Sequence, residues 1–384
     1  MKKFWKVMSY LLVALVASGV TLALCLGQPR EESKLTKLEN LIRERYIGID
    51  DVDMAEVEDA AANAMVEALG DRWSYYLDEE SYQANLRANQ NAYVGIGITV
   101  SRELEATGIS VLKVEESGPA KEAGLQAGDI ITAVEGQDAL ELGVDGASEL
   151  IMGEENTWVE ISLLRGGEEL TVSVQRRRIE TAIATGQMLD GNVGLVRIDN
   201  FRSRCAQETI AQIEALLEQG AEALILDVRF NPGGYVTEVV KVLDYLLPEG
   251  AVFRSRDYLG KEDVDYSDER CLDIPMAVLV NGSSYSAAEH FAATLSEYGA
   301  AVTVGEPTVG KGRYQMVYEL GDGSGVGLSI GEYFTPNGVN MSDAGGLTPD
   351  VVVTVDEQTA MEIYNGLLEA EDDPQIQAAL ERLK

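Results

Sequence analysis

The sequence predicts a mixed α/β (α+β) fold in which a β-rich module separates an amphipathic helical region from a core of alternating strands and helices. Three features predict it. Apolar residues recur at three-and-four spacing in LTKLENLIRERYIG (35–48) and MAEVEDAAANAMVEALG (54–70), the period of a helix with one apolar face, and each run stops at glycine. From Tyr93 to about Arg178 the texture changes to short β runs, YVGIGITV, GISVLKVE, GDIITAVEG, VEISLLRGG and ELTVSVQRR, parted by Gly-rich turns. Beyond it, the strands VGLVRIDNF, ALILDV, MAVLVN and AVTVG alternate with helical stretches at 207–219, 236–247 and 287–298, the pattern of a sheet covered by helices.

Taken in order, the chain divides into residues 1–28, a helical region at 35–92, the β module at 93–178, a core at 179–355 and an acidic helical tail at 356–384. The first segment opens with Lys2, Lys3 and Lys6. About 20 uncharged residues follow, from 7 to 26, enough to cross a bilayer as one helix. The lysines place that end in the cytoplasm and the rest outside. A single-pass membrane anchor with the rest of the chain extracytoplasmic is therefore expected. A cleaved signal peptide would instead release a secreted protein. Leu22-Ala-Leu-Cys25 approaches a lipoprotein box, but Leu24 stands where a small residue belongs.

Composition narrows the function. Thirty Lys and Arg stand against 65 Asp and Glu, for a net charge of −35, and so acidic a surface repels nucleic acid and anionic lipid. Of three cysteines, only Cys205 and Cys271 lie beyond the apolar segment. Two isolated thiols are no disulfide framework. With one histidine and no CxxC or HExxH, the chain has no usual zinc site, and no metal or cofactor is expected.

Two motifs are decoys. Gly305-Glu-Pro-Thr-Val-Gly-Lys-Gly312 nearly spells a P-loop, but Gly312 replaces the Mg²⁺-binding hydroxyl and RYQMVYEL continues as a strand. Gly327-Leu-Ser-Ile-Gly331 matches GxSxG, yet its serine sits in a β run and the only histidine, His290, precedes it. The stretch VLVNGSSYSAAEH (278–290) is different. A strand breaks at Asn-Gly into three serines and then a helix. A nucleophile there has no downstream histidine, and unrelated hydrolases use lysine instead. Lys311, between Gly310 and Gly312, is the best candidate, and burial would have to lower its pKa.

LILDVRFNPGG (224–234), VLVNGSSYSAAEH and VGEPTVGKGRYQ (304–315), with YFTPNGVNM and GGLTPDVVV later, resemble the carboxyl-terminal processing peptidases, or tail-specific proteases, from about residue 35 to 384. The resemblance implies a crotonase-like protease core with an inserted PDZ domain and helices at both ends. It also implies a serine endopeptidase without cofactor, in which Ser286 is the nucleophile, Lys311 the base and Gln315 its orienting partner. On a strand, residues 311 and 315 would share a face. Tyr285 and Ala288 depart from the family pattern, where alanine and a third serine are usual. The oxyanion donors implied are the amides of Ala287 and of Gly233 or Gly234. His290 is expected to be a helix residue beside the site.

VEESGPAKEAGLQAGDII (114–131) resembles a PDZ domain. Tyr93, Val94, Gly95, Ile96, Gly97 and Ile98 then match its carboxylate-binding loop, whose partners would be protein or peptide substrates with accessible C-terminal tails. A homodimer is compatible with helices at both ends. The rivals are a catalytically silent PDZ scaffold and a crotonase-like acyl-CoA enzyme.

Overall fold

The computed structural model describes residues 32–384 apart from Glu116. The apolar segment 7–26, and with it the anchor expectation, lies outside these residues, among which no helix is long and apolar enough to cross a membrane. The chain divides into two compact units, one ending at Ala62 and one running from Asn63 to Lys384.

In the first unit, helix α1 (Lys34–Arg45) is capped by Ser33, whose Oγ accepts the Thr36 amide at 3.1 Å. Arg43 in its last turn pairs with Glu39 and, across to α2 (Met54–Glu67), with Glu58. Both helices stop short of the glycines that end their apolar runs.

The second unit begins within α2, at Asn63, and continues through a loop at 71–74, strand β1 (Tyr75–Leu77) and helix α3 (Glu79–Ala88), capped by Asp78. The β module follows. Its entry strand β2 (Ala92–Gly95) forms a separate two-stranded sheet with its exit strand β9 (Arg177–Glu180). Between them β3 (Ile98–Glu105), β4 (Gly108–Val114), β5 (Ile130–Val134), β7 (Trp158–Arg165) and β8 (Glu168–Gln175) lie in that order, with β6 (Gln137–Asp138) against β5. Val159, Ile161 and Leu163 are buried on alternate positions of β7, packing with Ile96, Ile109 and Ile131. Helix α4 (Ala139–Ile151) is not legible in the sequence, because Gly143, at φ +69°, and Gly146 break its pattern. It is nevertheless a helix capped by Asp138, whose Oδ1 accepts the Leu140 amide at 2.8 Å.

The core is built on a six-stranded sheet: β10 (Ala184–Leu189), β11 (Val193–Ile198), β12 (Ala223–Asp227), β15 (Met276–Val280), β16 (Ala301–Gly305) and β19 (Val351–Val352). Only β10 runs antiparallel to its neighbour. All five residues of β12 are buried because both faces are covered. Leu224 and Leu226 pack beneath α5 (Cys205–Glu218), α6 (Val236–Leu246) and α7 (Ala287–Glu297). Ile225 packs on the opposite face with Ile376 and Ala379 of α9 (Pro374–Arg382), while α8 (Glu357–Tyr364) precedes α9 in the tail. A second sheet joins β1, β13 (Gly250–Asp257), β14 (Glu262–Ser267), β17 (Arg313–Glu319) and β18 (Gly325–Phe334). The hairpin of β13 and β14 was not legible in the sequence, since charged residues crowd both strands.

The turn after β12 is fixed from the far side of the sheet. Arg229, its side chain 3% exposed, donates to both oxygens of Asp227 at 2.9 and 2.6 Å, and to Asp373 at 2.8 Å and Gln375 at 2.9 Å. Asp373 is also the N-cap of α9. Arg229→Met should leave two buried carboxylates without their cation and cost about 3–5 kcal/mol. Urea unfolding would measure it, and a loss below about 1 kcal/mol would contradict this account.

Candidate active site

Three neighbouring parallel strands, β12, β15 and β16, send their C-terminal loops to one edge of the sheet, the crevice where open α/β sheets place ligands. Hydrogen bonds tie the loops together. Ser284, fully buried, donates from Oγ to Val228 O at 2.7 Å and accepts the Asn281 amide at 3.0 Å. Asn281 Oδ1 accepts the Phe230 amide at 2.9 Å, and the Tyr285 amide donates to Asn231 O at 3.1 Å. Ser284 is therefore a structural serine.

Ser286 stands where β15 turns into α7, with φ +60° and ψ −121°. Such backbone costs about 1–3 kcal/mol and persists only when its surroundings hold it. What holds it is Glu289, one turn into the helix and fully buried. Glu289 Oε2 accepts the amides of Ser286 and Lys311, both at 2.9 Å; Oε1 accepts the Gly310 amide at 2.6 Å and the Thr308 hydroxyl at 2.5 Å. One carboxylate thus joins the serine turn to the lysine loop. Glu289 is a functional residue that the motifs above do not mark, although Ser286-x-x-Glu289 has the spacing of a capping box.

Lys311 is half-buried, and burial pushes its pKa below 10.5, opposed by the charges of Asp71 and Glu289. Its Nζ lies 4.9 Å from the ring centroid of Trp73 and 5.9 Å from that of Tyr285. Tyr333 is buried, donates its hydroxyl to Lys311 O, and interacts with the Ser286 hydroxyl. Burial and the Glu289 charge hold that phenol well above its usual range, so it stays a neutral donor.

A cleft of about 380 Å³ is lined by Ser286, Ala287, Gly233, Gly234, Lys311 and Gln315, so every sequence-predicted catalytic and oxyanion residue meets there. The arrangement differs from expectation in two respects. Lys311 precedes β17, and the register of that strand shifts between Tyr314 and Gln315, so the even spacing does not put the two side chains on one face. Gln315 Nε2 instead donates to Ser329 Oγ at 2.9 Å and Arg313 O at 3.2 Å. The Gly233 amide is also taken, by Asn231 Oδ1 at 2.8 Å. The amides of Gly234 and Ala287 have no acceptor among the described residues.

Neither glycine tolerates a side chain. At Gly233, φ +87°, a Cβ would lie 2.8 Å from the Ala287 nitrogen. At Gly234, φ +152°, it would lie 2.3 Å from the carbonyl of Phe201.

His290 is buried in α7, its Nε2 2.7 Å from Val252 O and its ring edge-on to Phe253 and Tyr333. Burial lowers its pKa to about 4, so it is neutral, and its Nε2 is committed to the Val252 carbonyl. Ser329 of the GxSxG decoy lies in β18, and no helix follows the P-loop-like turn. Both Cys205 and Cys271 are free; burial pushes the Cys205 thiol up to about 12, while Cys271 is exposed.

In the β module the expected carboxylate loop is shorter than the motif suggests. Tyr93, Val94 and Gly95 pair with Ile179, Arg178 and Arg177 as part of β2, and Ile98 begins β3. Ile96 and Gly97 remain as the loop. Their carbonyls are taken by the amides of Ala120 and Glu115 at 2.8 and 2.9 Å. Beside it β3 is an edge strand facing α4, the geometry in which an extended peptide adds to a sheet.

Sequence comparison matches residues 192–353 to peptidase family S41 and residues 92–175 to the PDZ domain. The fold is that of an S41 peptidase carrying a PDZ domain. The chain is 31% identical over 342 residues to the carboxy-terminal processing protease CtpA of Bacillus subtilis (strain 168), covering 85% of this chain and 72% of that one. It is also 31% identical over 351 residues to the carboxyl-terminal-processing protease of Synechocystis sp., covering 89% and 80%. Among solved structures, an S41 protease from Bacteroides fragilis NCTC 9343 superposes with a TM-score of 0.54 at 17% identity, covering 92% of this chain and 98% of that one, which shows a common fold. The chain belongs to the carboxyl-terminal processing peptidases: it is a serine protease with a crotonase-like core and an inserted PDZ domain.

Glu289→Gln places an amide N–H against backbone N–H groups. It should cost about 1–3 kcal/mol of stability and, by displacing both loops, roughly 10²-fold in turnover. Denaturation and peptidase assays on the folded variant would check both.

Proposed function

We propose that the enzyme cuts protein substrates with Ser286 as nucleophile and Lys311 as general base, while the PDZ domain captures the substrate's C-terminal tail. The observation that carries this reading is the cleft in which Ser286, a half-buried lysine and an unpaired pair of backbone amides converge. Neutral Lys311 takes the Ser286 proton as Oγ attacks the scissile carbonyl, then delivers it to the leaving amine; water attacks the acyl-enzyme by the same relay. The oxyanion forms against the amides of Ala287 and Gly234. Gln315, at the cleft wall, aims the amine when substrate draws it toward Ser286. Tail capture uses the amides of Ile96 and Gly97 and the open edge of β3. An apolar anchor at 7–26 would hold the enzyme outside the cytoplasmic membrane. The silent-scaffold and acyl-CoA readings give way to family membership in the peptidases.

Ser286→Ala should abolish cleavage of an unfolded protein, a loss of several orders of magnitude, while Ser284→Ala loses stability rather than chemistry. Since the reactive lysine is the neutral form, the rate should rise with pH through a value below 10.5. Lys311→Arg, protonated at every working pH, should be as inactive as Lys311→Ala, and His290→Gln should keep the alkaline limb. An active Lys311→Arg enzyme would overturn the base assignment.

For the tail receptor, amidating a substrate's C-terminus should weaken its binding to the full chain carrying Ser286→Ala. Calorimetry with acid and amide peptides measures the difference, and equal affinities would remove the carboxylate from the recognition.

A further inference from the structure

Resting on Lys311 as the base, we infer that Trp73 is a positioning residue: its indole parks the Lys311 ammonium between turnovers and sets the pH at which the amine is released to Ser286. Among the described residues, no hydrogen bond or ion pair joins Lys311 Nζ to Ser286, Gln315 or any carboxylate, and the ammonium instead lies 4.9 Å from the Trp73 centroid. The anions that act on it are occupied elsewhere. Glu289 takes four donors from the loops. Asp71 accepts from Ser74 Oγ at 2.7 Å, from the Trp73 amide at 3.3 Å and from Arg313 at 3.4 Å.

The indole is itself held in place. Tyr285 stacks on it with centroids 6.4 Å apart, the Arg72 guanidinium lies 4.1 Å from it, and Ser74 accepts the Ser329 amide at 3.0 Å, fastening this loop to β18. An aromatic face attracts an ammonium and not a neutral amine. Loss of the proton therefore removes the attraction that holds Lys311 away from the serine. Tyr285, unusual for the family at that position, completes the aromatic cover, and the phenol of Tyr333 holds the lysine's backbone.

Two effects of the ring act in opposite directions and can be separated. Trp73→Leu keeps a dry cover without a π face, so the ammonium is less favoured and the acid limb of the pH–rate profile should move down by about 0.4–1.5 pH units. Trp73→Ala admits water and should move it up. Trp73→Phe should stay near the parent. The same midpoints are read without turnover in full-length Ser286→Ala protein, from the pH dependence of Lys311 acetylation by an amine-reactive ester, followed by mass spectrometry. Near-UV circular dichroism selects folded variants, and the Leu and Phe variants decide the matter if Ala does not fold. An acetylation midpoint in Trp73→Leu that matches the parent, or one in Trp73→Phe that shifts as far as that of Trp73→Leu, would refute the role of Trp73. Cleavage by Lys311→Arg would instead refute the base assignment and leave the midpoint result standing.

Discussion

Everything at the reactive edge hangs on one carboxylate. Glu289 lies on the first turn of α7, fully buried, and accepts four hydrogen bonds from donors drawn from two loops. A buried charge so arranged is costly to move, because no position nearby offers the same number of hydrogen bonds. Its fixity passes to the strained backbone of Ser286 on one side and to the Gly-Lys-Gly turn on the other. Ser286 and Lys311 are thus coupled through their main chains, which leaves the lysine side chain free to move while its anchorage stays put.

The electrostatics of the lysine are set by opposing terms. In a protein of net charge −35 the prevailing field favours the ammonium, and Asp71 and Glu289 add to it locally. Burial beneath Trp73 and Tyr285 prevails over both. An acidic surface and a basic catalyst coexist because the first is screened by solvent, whereas the second is set by a few ångströms of apolar cover. His290, the residue a reader would first suspect, shows the complementary case: its burial is so complete that it is withdrawn from acid–base chemistry and serves as a strut between α7 and β13.

How much of this the sequence disclosed depends on whether a feature was local. The α1 and α2 helices and the β12, β15 and β16 strands follow from periodicity, Lys311 is marked out by its Gly-Lys-Gly turn, and Ser286 and the glycines follow from the resemblance to the family. Contacts made across the chain did not. The Gln315 side chain was misaimed because strand parity assumes an unbroken register, and the shift after Tyr314 has no signature in residue type. The Gly233 amide was assigned to the oxyanion because nothing local shows that Asn231 folds back to take it. Trp73 escaped notice altogether, since it lies more than two hundred positions before the lysine it covers. Glu289 could have been found, because a capping-box spacing was in plain view.

Arg229 gives the turn after β12 a temporal dimension. Its second carboxylate, Asp373, is 144 positions further along the chain. On a ribosome, the loop that carries Gly233 and Gly234 therefore emerges long before its clamp, and the guanidinium must remain hydrated until α9 docks. The final shape of the cleft thereby waits on residues made well after those that line it.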